Sequence, residues 1–323
     1  MIPSSKNKTK LKVQVLAGGL SHERDISLKS GRRVADALSD QGATVIMREP
    51  DHDLLENIRK DRPDVIWPVL HGATGEDGSL RDILAQTKVP FVGASGSAAR
   101  LAWDKSIAKI LVERTGVATP AWVTLPKEAF KELDVDGVLE AIGKSLALPV
   151  VVKPARSGSA HGVTVVTEPN QLSRAMIDAY VYCDVAIIEK FVVGTELAIS
   201  IVDLGAGPIA LPAVEVEAID GFYGYEERYT AGETNYYVPA RLSKSVSEKA
   251  ARLAVDIHEL LGLRHLSRID LIVDKKGVPW FLEANVVPGM TDTSLLPQAI
   301  LAEGSTLGEV YFSIAKAAQR GRG

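Results

Sequence analysis

At 323 residues the chain is too long for a single small binding module and long enough for two or three domains with cores of their own. Hydrophobic residues make up 46% and charged residues 24%, the balance of an ordinary globular protein, which argues against a disordered or fibrous chain. Lys plus Arg number 37 against 41 Asp plus Glu, so the net charge of −4 gives no electrostatic reason for a nucleic-acid or anionic-membrane partner. A lone cysteine, Cys183, can form neither an internal disulfide nor a thiolate metal cluster and is expected to be a buried bystander in a reducing compartment. The segment Met1 to Lys10 reads as a frayed tail without the apolar run of a leader, and no stretch approaches the roughly 18 apolar residues of a membrane span. The expected location is cytoplasmic.

In chain order, the apolar residues of Lys12 to Ala17 read as a buried strand, and Leu28 to Leu38 has helical spacing stopped by Gly42. A strand at Thr44 to Met47 completes a βαβ unit. A helix at Leu54 to Lys60, a strand at Val65 to Val69, a helix at Leu80 to Gln86 and a strand at Pro90 to Val92 repeat the alternation, which implies a parallel sheet covered on both faces. After Trp103 the pattern changes to helices at Lys105 to Arg114 and Val138 to Leu146, then strands around Gly158 and Gly162. Closely spaced strands at Val185 to Phe191, Leu197 to Val202 and Ile209 to Val216 point to an antiparallel sheet. A Gly- and Tyr-rich stretch, Gly221 to Tyr237, precedes a helix at Ser247 to Leu261 and a hairpin of Asp270 to Val273 with Trp280 to Ala284.

That hairpin is the most constrained chemistry in the sequence. A four-residue turn, Lys275 to Val278, sets Asp274 opposite Pro279 and therefore Asp270 opposite Glu283, whereas a three-residue turn shifts the register. Facing carboxylates repel by about 4 kcal/mol at about 4 Å and an effective dielectric of about 20, and a cation between them reverses the sign. Strand alternation adds Asn285 to the face of Glu283 and Arg268 to that of Asp270. Oxygen donors without a soft ligand suggest magnesium with a substrate phosphate, the bland alternative being a solvated polar sheet face. The Pro288-Gly289 bend that follows offers backbone amides to an anion.

Two further constellations stand out. Lys153 ends the apolar strand Val150 to Val152 and precedes the small-residue loop Ser157 to Gly162, an arrangement that can hold phosphate or can be merely a flexible hairpin. The loops Gly18 to Ser27 and His71 to Gly78 leave the carboxyl ends of parallel strands, where open α/β sheets bind ligands, and could form one pocket wall. More plainly, Glu23 is an acid in a first helical turn, Ser27 a helix cap and His71 a hydrogen-bonded structural histidine. Neither a Walker motif nor the dinucleotide fingerprint is present, which disfavours a nicotinamide-dependent oxidoreductase on the first sheet.

From about Val13 to Leu307 the ordered motifs resemble the D-alanine–D-alanine ligases of the ATP-grasp superfamily. These are Gly18-Gly19 with Ser21-His22-Glu23-Arg24, His71-Gly72 with Gly75-Glu76-Asp77-Gly78, Trp103-Asp104-Lys105, Val152-Lys153-Pro154, Glu189-Lys190-Phe191, Tyr225 to Tyr229, Arg268-Ile269-Asp270, Glu283-Ala284-Asn285 and Pro288-Gly289-Met290-Thr291. The resemblance implies an α/β and α+β ATP-grasp fold. Its parts would be an N-terminal parallel α/β domain (1–103) and two antiparallel-sheet subdomains (104–191 and 192–323) gripping ATP.

The resemblance also implies roles. Lys105 and Lys153 match phosphate-contacting lysines, Glu189, Lys190 and Phe191 the adenine-reading linker, and Glu196 the ribose-binding acid; Phe222 and Arg228 join this nucleotide set. Asp270, Glu283 and Asn285 match ligands of two magnesium ions, with manganese as a substitute. Glu23 matches the acid that holds the first substrate's ammonium, in a network with Ser159 and Tyr229. Arg268 and the Gly289 amide match oxyanion stabilisers, Ser294 the group that binds the second substrate's carboxylate, and His71 and Leu295 complete the substrate set.

The implied reaction activates the carboxylate of one D-alanine as an acyl phosphate, which the amine of a second D-alanine displaces, to supply peptidoglycan synthesis in a cytoplasmic homodimer. Ala160, His161, Arg228, Val286 and Val287 depart from the family pattern near this site, which leaves open a ligase with D-serine, D-lactate or another amino acid as second substrate. Tyr229 favours the amine acceptor. A catalytically silent nucleotide-binding regulator is a further reading, against which the retained Arg268, Asp270, Glu283, Asn285 and Ser294 argue. The stretch Gly221 to Tyr237 is expected to close over ATP.

Overall fold

A computed structural model describes residues 10–218 and 234–321 of the chain. The expected tail other than Lys10, and Phe222, Tyr225, Arg228 and Tyr229, lie outside the described residues. In the first part, β1 (Lys12–Leu16), β2 (Thr44–Arg48) and β3 (Val65–Pro68) form a parallel sheet in the order β2-β1-β3, as the alternation anticipates. Helix α1 (Arg24–Asp40) begins four residues earlier than its apolar spacing indicates. Ser27 is therefore one turn inside the helix and not a cap. Its Oγ accepts from Gly18 N at 2.8 Å and donates to Val69 O at 2.6 Å, tying the helix to two strand ends. A Cβ on Gly31 would fall 2.4 Å from Ala17 Cβ, so only glycine lets α1 lie this close to the sheet.

Helices α2 (Leu54–Asp61), α3 (Ala73–Glu76) and α4 (Ser79–Gln86) follow. The strand expected at Pro90 to Val92 shrinks to one bridge between Phe91 and Ile66. Gly93, with φ of 97°, turns the chain away from the sheet immediately afterwards, towards α5 (Gly96–Trp103) and α6 (Lys105–Glu113). Asp104 caps α6 by accepting from Ser106 N at 3.0 Å and Ile107 N at 3.3 Å.

The second sheet is antiparallel. It contains β4 (Trp122–Pro126), β5 (Val150–Pro154), β6 (Thr164–Val166) and β7 (Val185–Lys190) in the order β4-β7-β5-β6. Helices α7 (Lys127–Glu132), α8 (Val135–Leu146) and α9 (Leu172–Tyr180) accompany it, and Leu139, Leu172 and Met176 share a core with Val150 and Val152.

Among the described residues the third sheet has six strands: β8 (Gly194–Asp203), β9 (Pro208–Ala210), β10 (Val214–Ala218), β11 (Thr234–Tyr237), β12 (Leu266–Asp274) and β13 (Pro279–Asn285). Its order is β11-β10-β8-β12-β13, with β9 also on β8. The single strand expected at Ile209 to Val216 is thus two, because Pro212 cannot donate to a ladder. The end of the stretch expected to close over ATP, Thr234 to Tyr237, is a paired strand. Helix α10 (Lys244–Leu260) backs this sheet, and α11 (Leu295–Ala302) and α12 (Leu307–Gln319) end the chain. Helix α12 returns to the first sheet, where Tyr311 meets Trp67 edge-on at 5.4 Å. Val310, Ile314 and Ala315 enter one core with Val13, Val34, Val202 and Val214.

The β12–β13 hairpin corrects the expected register while keeping its outcome. Val273, not Asp274, faces Pro279. Asp274, the last residue of β12, closes the turn instead: its backbone N–H donates to Val278 O at 3.0 Å and its Oδ1 accepts from the Lys276 and Val278 amides. A bulge then inserts Leu282 beyond the Leu271–Phe281 pair and shifts the ladder by one, so that Asp270 does face Glu283 and Arg268 faces Asn285. Between these pairs Ile269, fully buried on the opposite face, anchors the sheet to its core. Truncating it to alanine should cost about 3 kcal/mol, read as a lower urea midpoint for the third sheet's unfolding.

Candidate active site

Two cavities meet along one face of the β12–β13 hairpin. The larger, of about 340 Å³, lies between the second and third sheets, and its lining includes Lys105, Lys153, Glu189, Glu196, Asp270 and Glu283. The smaller, of about 80 Å³, is lined by Glu23, His71, Ser159, Arg268, Gly289 and Ser294, together with Asn285 and Leu295. Asp270 and Glu283 thus face the large cavity, and Arg268 and Asn285, two residues along each strand, face the small one.

The facing carboxylates are each matched by a cation. Arg268 places Nε and a terminal nitrogen 2.7 Å from the two Asp270 oxygens, a bidentate fork, and Asn285 Nδ2 donates to Asp270 Oδ2 at 3.1 Å. Lys105 Nζ lies 3.2 Å from Glu283 Oε2 and donates to Ser157 O at 2.7 Å, so it joins the hairpin to the small-residue loop. The oxygens of Asp270, Glu283 and Asn285 are hard donors, a set that fits magnesium. Among the described residues no three His, Cys, Asp or Glu side chains gather as a metal site, and the candidate here is two carboxylates with an amide.

The wall opposite the hairpin carries a buried ionic cluster. Glu189 pairs with Lys153 through Oε1 and with Lys109, at 2.9 Å, through Oε2. Burial works against the Glu189 charge, but Lys109 and Lys153 outweigh it and hold the carboxyl below its usual range. Phe191 and Glu196 also line this cavity. Lys190 lines it too, and its side-chain nitrogen donates to Leu146 O, on the last residue of α8, at 3.0 Å.

At the small cavity, left-handed backbone at Ser159 and Ala160, φ 50° and 56°, curls the loop so that Ser159 Oγ donates to Glu23. Such non-glycine conformations cost about 1–2 kcal/mol each. The loop is held in this shape by contacts from both sides. The two loops that leave the first sheet do form one wall: Glu23 sits at the start of α1, and His71 and Glu76 come from the second loop. Gly289 has no room for a side chain, since a Cβ would lie 2.7 Å from Ser294 Oγ. Ser294 Oγ is oriented by Thr291, through its amide at 3.0 Å and its hydroxyl at 2.8 Å.

The sequence profile of the family described as D-ala D-ala ligase C-terminus matches residues 111–314. The chain belongs to the D-alanine–D-alanine ligase family. The D-alanine–D-alanine ligase of Pelotomaculum thermopropionicum is 38% identical over 295 residues, 91% of this chain and 92% of that one. That of Nitrosomonas eutropha is 37% identical over 303 residues, 94% and 95% of the two chains. The crystal structure of D-alanine–D-alanine ligase from Bacillus anthracis superposes with a TM-score of 0.80 at 26% identity, covering 97% of this chain and 98% of that one. VanG D-Ala:D-Ser ligase from Enterococcus faecalis gives 0.80 at 25%, covering 96% and 99%. The mixed architecture, a parallel sheet followed by two antiparallel sheets, is that of the ATP-grasp fold.

Sequence reasoning missed Lys109, Thr119 and Leu282. Lys109 had a readable signal, a lysine on the buried stripe of α6 with Lys105, Ala108 and Val112, whereas Leu282 depends on a bulge that no spacing announces. Cys183, expected to be buried, is half-buried in the wall of a third, open cavity of about 760 Å³ beside Arg156 and Tyr182.

Glu76 supplies a pH test of the small cavity. It is buried, with Oε1 accepting from Gly72 N at 3.2 Å, and burial pushes its carboxyl up while His71 opposes. A carboxyl raised in the fold supports stability at acid pH and loses that support as pH climbs from about 4.3 through the folded value. Glu76→Gln should therefore raise the thermal midpoint at pH 7 by about 2 °C and leave it unchanged at pH 4, as read by calorimetry.

Proposed function

We propose that this chain is an ATP-dependent D-alanine–D-alanine ligase. The observation that carries the proposal is the shared hairpin face: the carboxylates Asp270 and Glu283 border a nucleotide-sized cavity, while Arg268 on the same strand face borders a small cavity closed at its far side by Glu23. A substrate carboxylate held near Arg268 stands next to whatever phosphate the larger cavity presents. Glu23, kept in place by Ser159, takes the ammonium of the first D-alanine. The carboxylate oxygen of that D-alanine attacks the γ-phosphorus of ATP and ADP leaves; the neutral amine of a second D-alanine then attacks the acyl carbon, loses a proton and expels phosphate. Arg268 and the Gly289 amide stabilise the oxyanion of that second step, and Ser294 receives the second carboxylate. Lys105 and Lys153 hold the phosphates, Glu189, Lys190 and Phe191 border the adenine, and Glu196 takes the ribose.

Asp270, Glu283 and Asn285 would hold two magnesium ions, or manganese, whose positive charge offsets that of the nucleotide phosphates. Val287 and Ile26 give the small cavity an apolar patch against which the methyl group of D-alanine packs. No helix among the described residues is long and apolar enough to cross a membrane. A cytoplasmic homodimer that feeds peptidoglycan synthesis goes with this reading.

The test is ADP release in ATP, magnesium and D-alanine, with the product identified by mass and the assay repeated with L-alanine, D-serine and D-lactate. D-Alanyl-D-alanine should dominate, and Glu23→Gln should raise the KM for D-alanine about tenfold or more. Turnover only with another acceptor would overturn the substrate assignment, and ATP binding without turnover would favour a regulator.

A further inference from the structure

Two lysines share the one carboxylate of Glu189, and only one of them faces the cavity. Lys153 and Glu189 both line the nucleotide cavity, whereas Lys109 comes from α6, which packs against β13, and is fully buried. Lys109 Nζ lies 2.9 Å from Glu189 Oε2 and donates to Thr119 Oγ1 at 2.6 Å, and that hydroxyl donates to Phe281 O on β13 at 3.0 Å. The chain of contacts runs from the hairpin, through Thr119 and Lys109, to the back of Glu189. Nothing at this distance inside the protein lets Lys109 touch a nucleotide.

We propose that Lys109 is a positioning residue that keeps Glu189 ionised and oriented from behind, so that Lys153 can exchange Glu189 for a nucleotide phosphate. The inference rests on the ATP-dependent reading above and adds to it a residue that acts only through another. With Lys109 in place, departure of Lys153 leaves Glu189 still paired. Without Lys109, the same departure strands a buried carboxylate, and an unpaired buried charge is strongly unfavourable. Lys153 would then stay on Glu189, and phosphate would compete for it. The excess positive charge of the cluster is therefore what makes Lys153 available.

Steady-state ADP release by the full chain separates this from a merely structural ion pair. Lys109→Met should raise the KM for ATP about tenfold, with kcat and the KM for D-alanine within about twofold of the parent, while Lys109→Arg, which keeps the charge, should stay within about threefold in all three. Glu189→Gln should raise the KM for ATP in the parent and lower it in the Lys109→Met background, because a neutral amide releases Lys153. An unchanged KM for ATP, a loss confined to kcat, or additive effects of the two changes would overturn the inference.

If Lys109→Met does not fold, Thr119→Val removes the acceptor behind Lys109 and should raise the KM for ATP about threefold; no change would overturn the inference. If the parent releases no ADP with D-alanine, the ligase reading fails separately. ATP binding by calorimetry then decides the role of Lys109: weakening of about tenfold in Lys109→Met supports it, and equal affinity overturns it.

Discussion

The whole site turns on two like charges forced to face each other across the β12–β13 ladder. Asp270 and Glu283 would weaken that pairing if left alone, and each is instead met by a cation from a different place: Arg268 from the same strand, Lys105 from α6. The Lys105 contact does more than neutralise. Because Lys105 also donates to Ser157 O, in the loop that follows β5, one lysine ties the second sheet's loop to the hairpin of the third across the cavity. Thr119, donating to Phe281 O, makes a second tie across the same junction. The strain of the carboxylate pair and the width of the cleft are thus one problem with one solution.

Unequal cavities sharing a strand face also divide the chemistry by size. The large one has apolar side chains, such as Val151, Ile272 and Leu282, beside its charged ones, suiting a flat ring with a charged tail. In the small one, charged groups stand at opposite ends, Glu23 and Arg268, which suits a zwitterion a few atoms long. The loop carrying Ser157 and Ser159 spans both: Lys105 grips one serine's carbonyl and Glu23 receives the other's hydroxyl.

Much of this was legible in the residues. Alternating strands and helices gave the parallel sheet, and close strand spacing gave the antiparallel ones, because each periodicity reports directly which face is buried. The Asp270–Glu283 pairing was legible for a partly mistaken reason: the turn captures Asp274 by side-chain bonds to two amides, and a bulge at Leu282 makes up the lost step. Hydrophobic pattern specifies a strand's face but not an inserted residue. Ser27 was misread because α1 starts one turn before its apolar stripe does, on Arg24-Asp25-Ile26-Ser27, where Ser27 is tied to the strand ends at Gly18 and Val69. Lys109 escaped because a lysine suggests solvent, and only its three-dimensional neighbours reveal that its charge is matched within the core.

The return of α12 to the first sheet has a consequence for how the protein is made. Trp67, Val13 and Val34 emerge from the ribosome early, yet the partners that cover them, Tyr311, Ile314 and Ala315, are translated almost last. One face of the parallel sheet, which α1 covers only in part through Val34, Ala35 and Leu38, is therefore completed last. A polypeptide cut short before α12 lacks Tyr311, Ile314 and Ala315 and leaves the core of its opening domain unfinished.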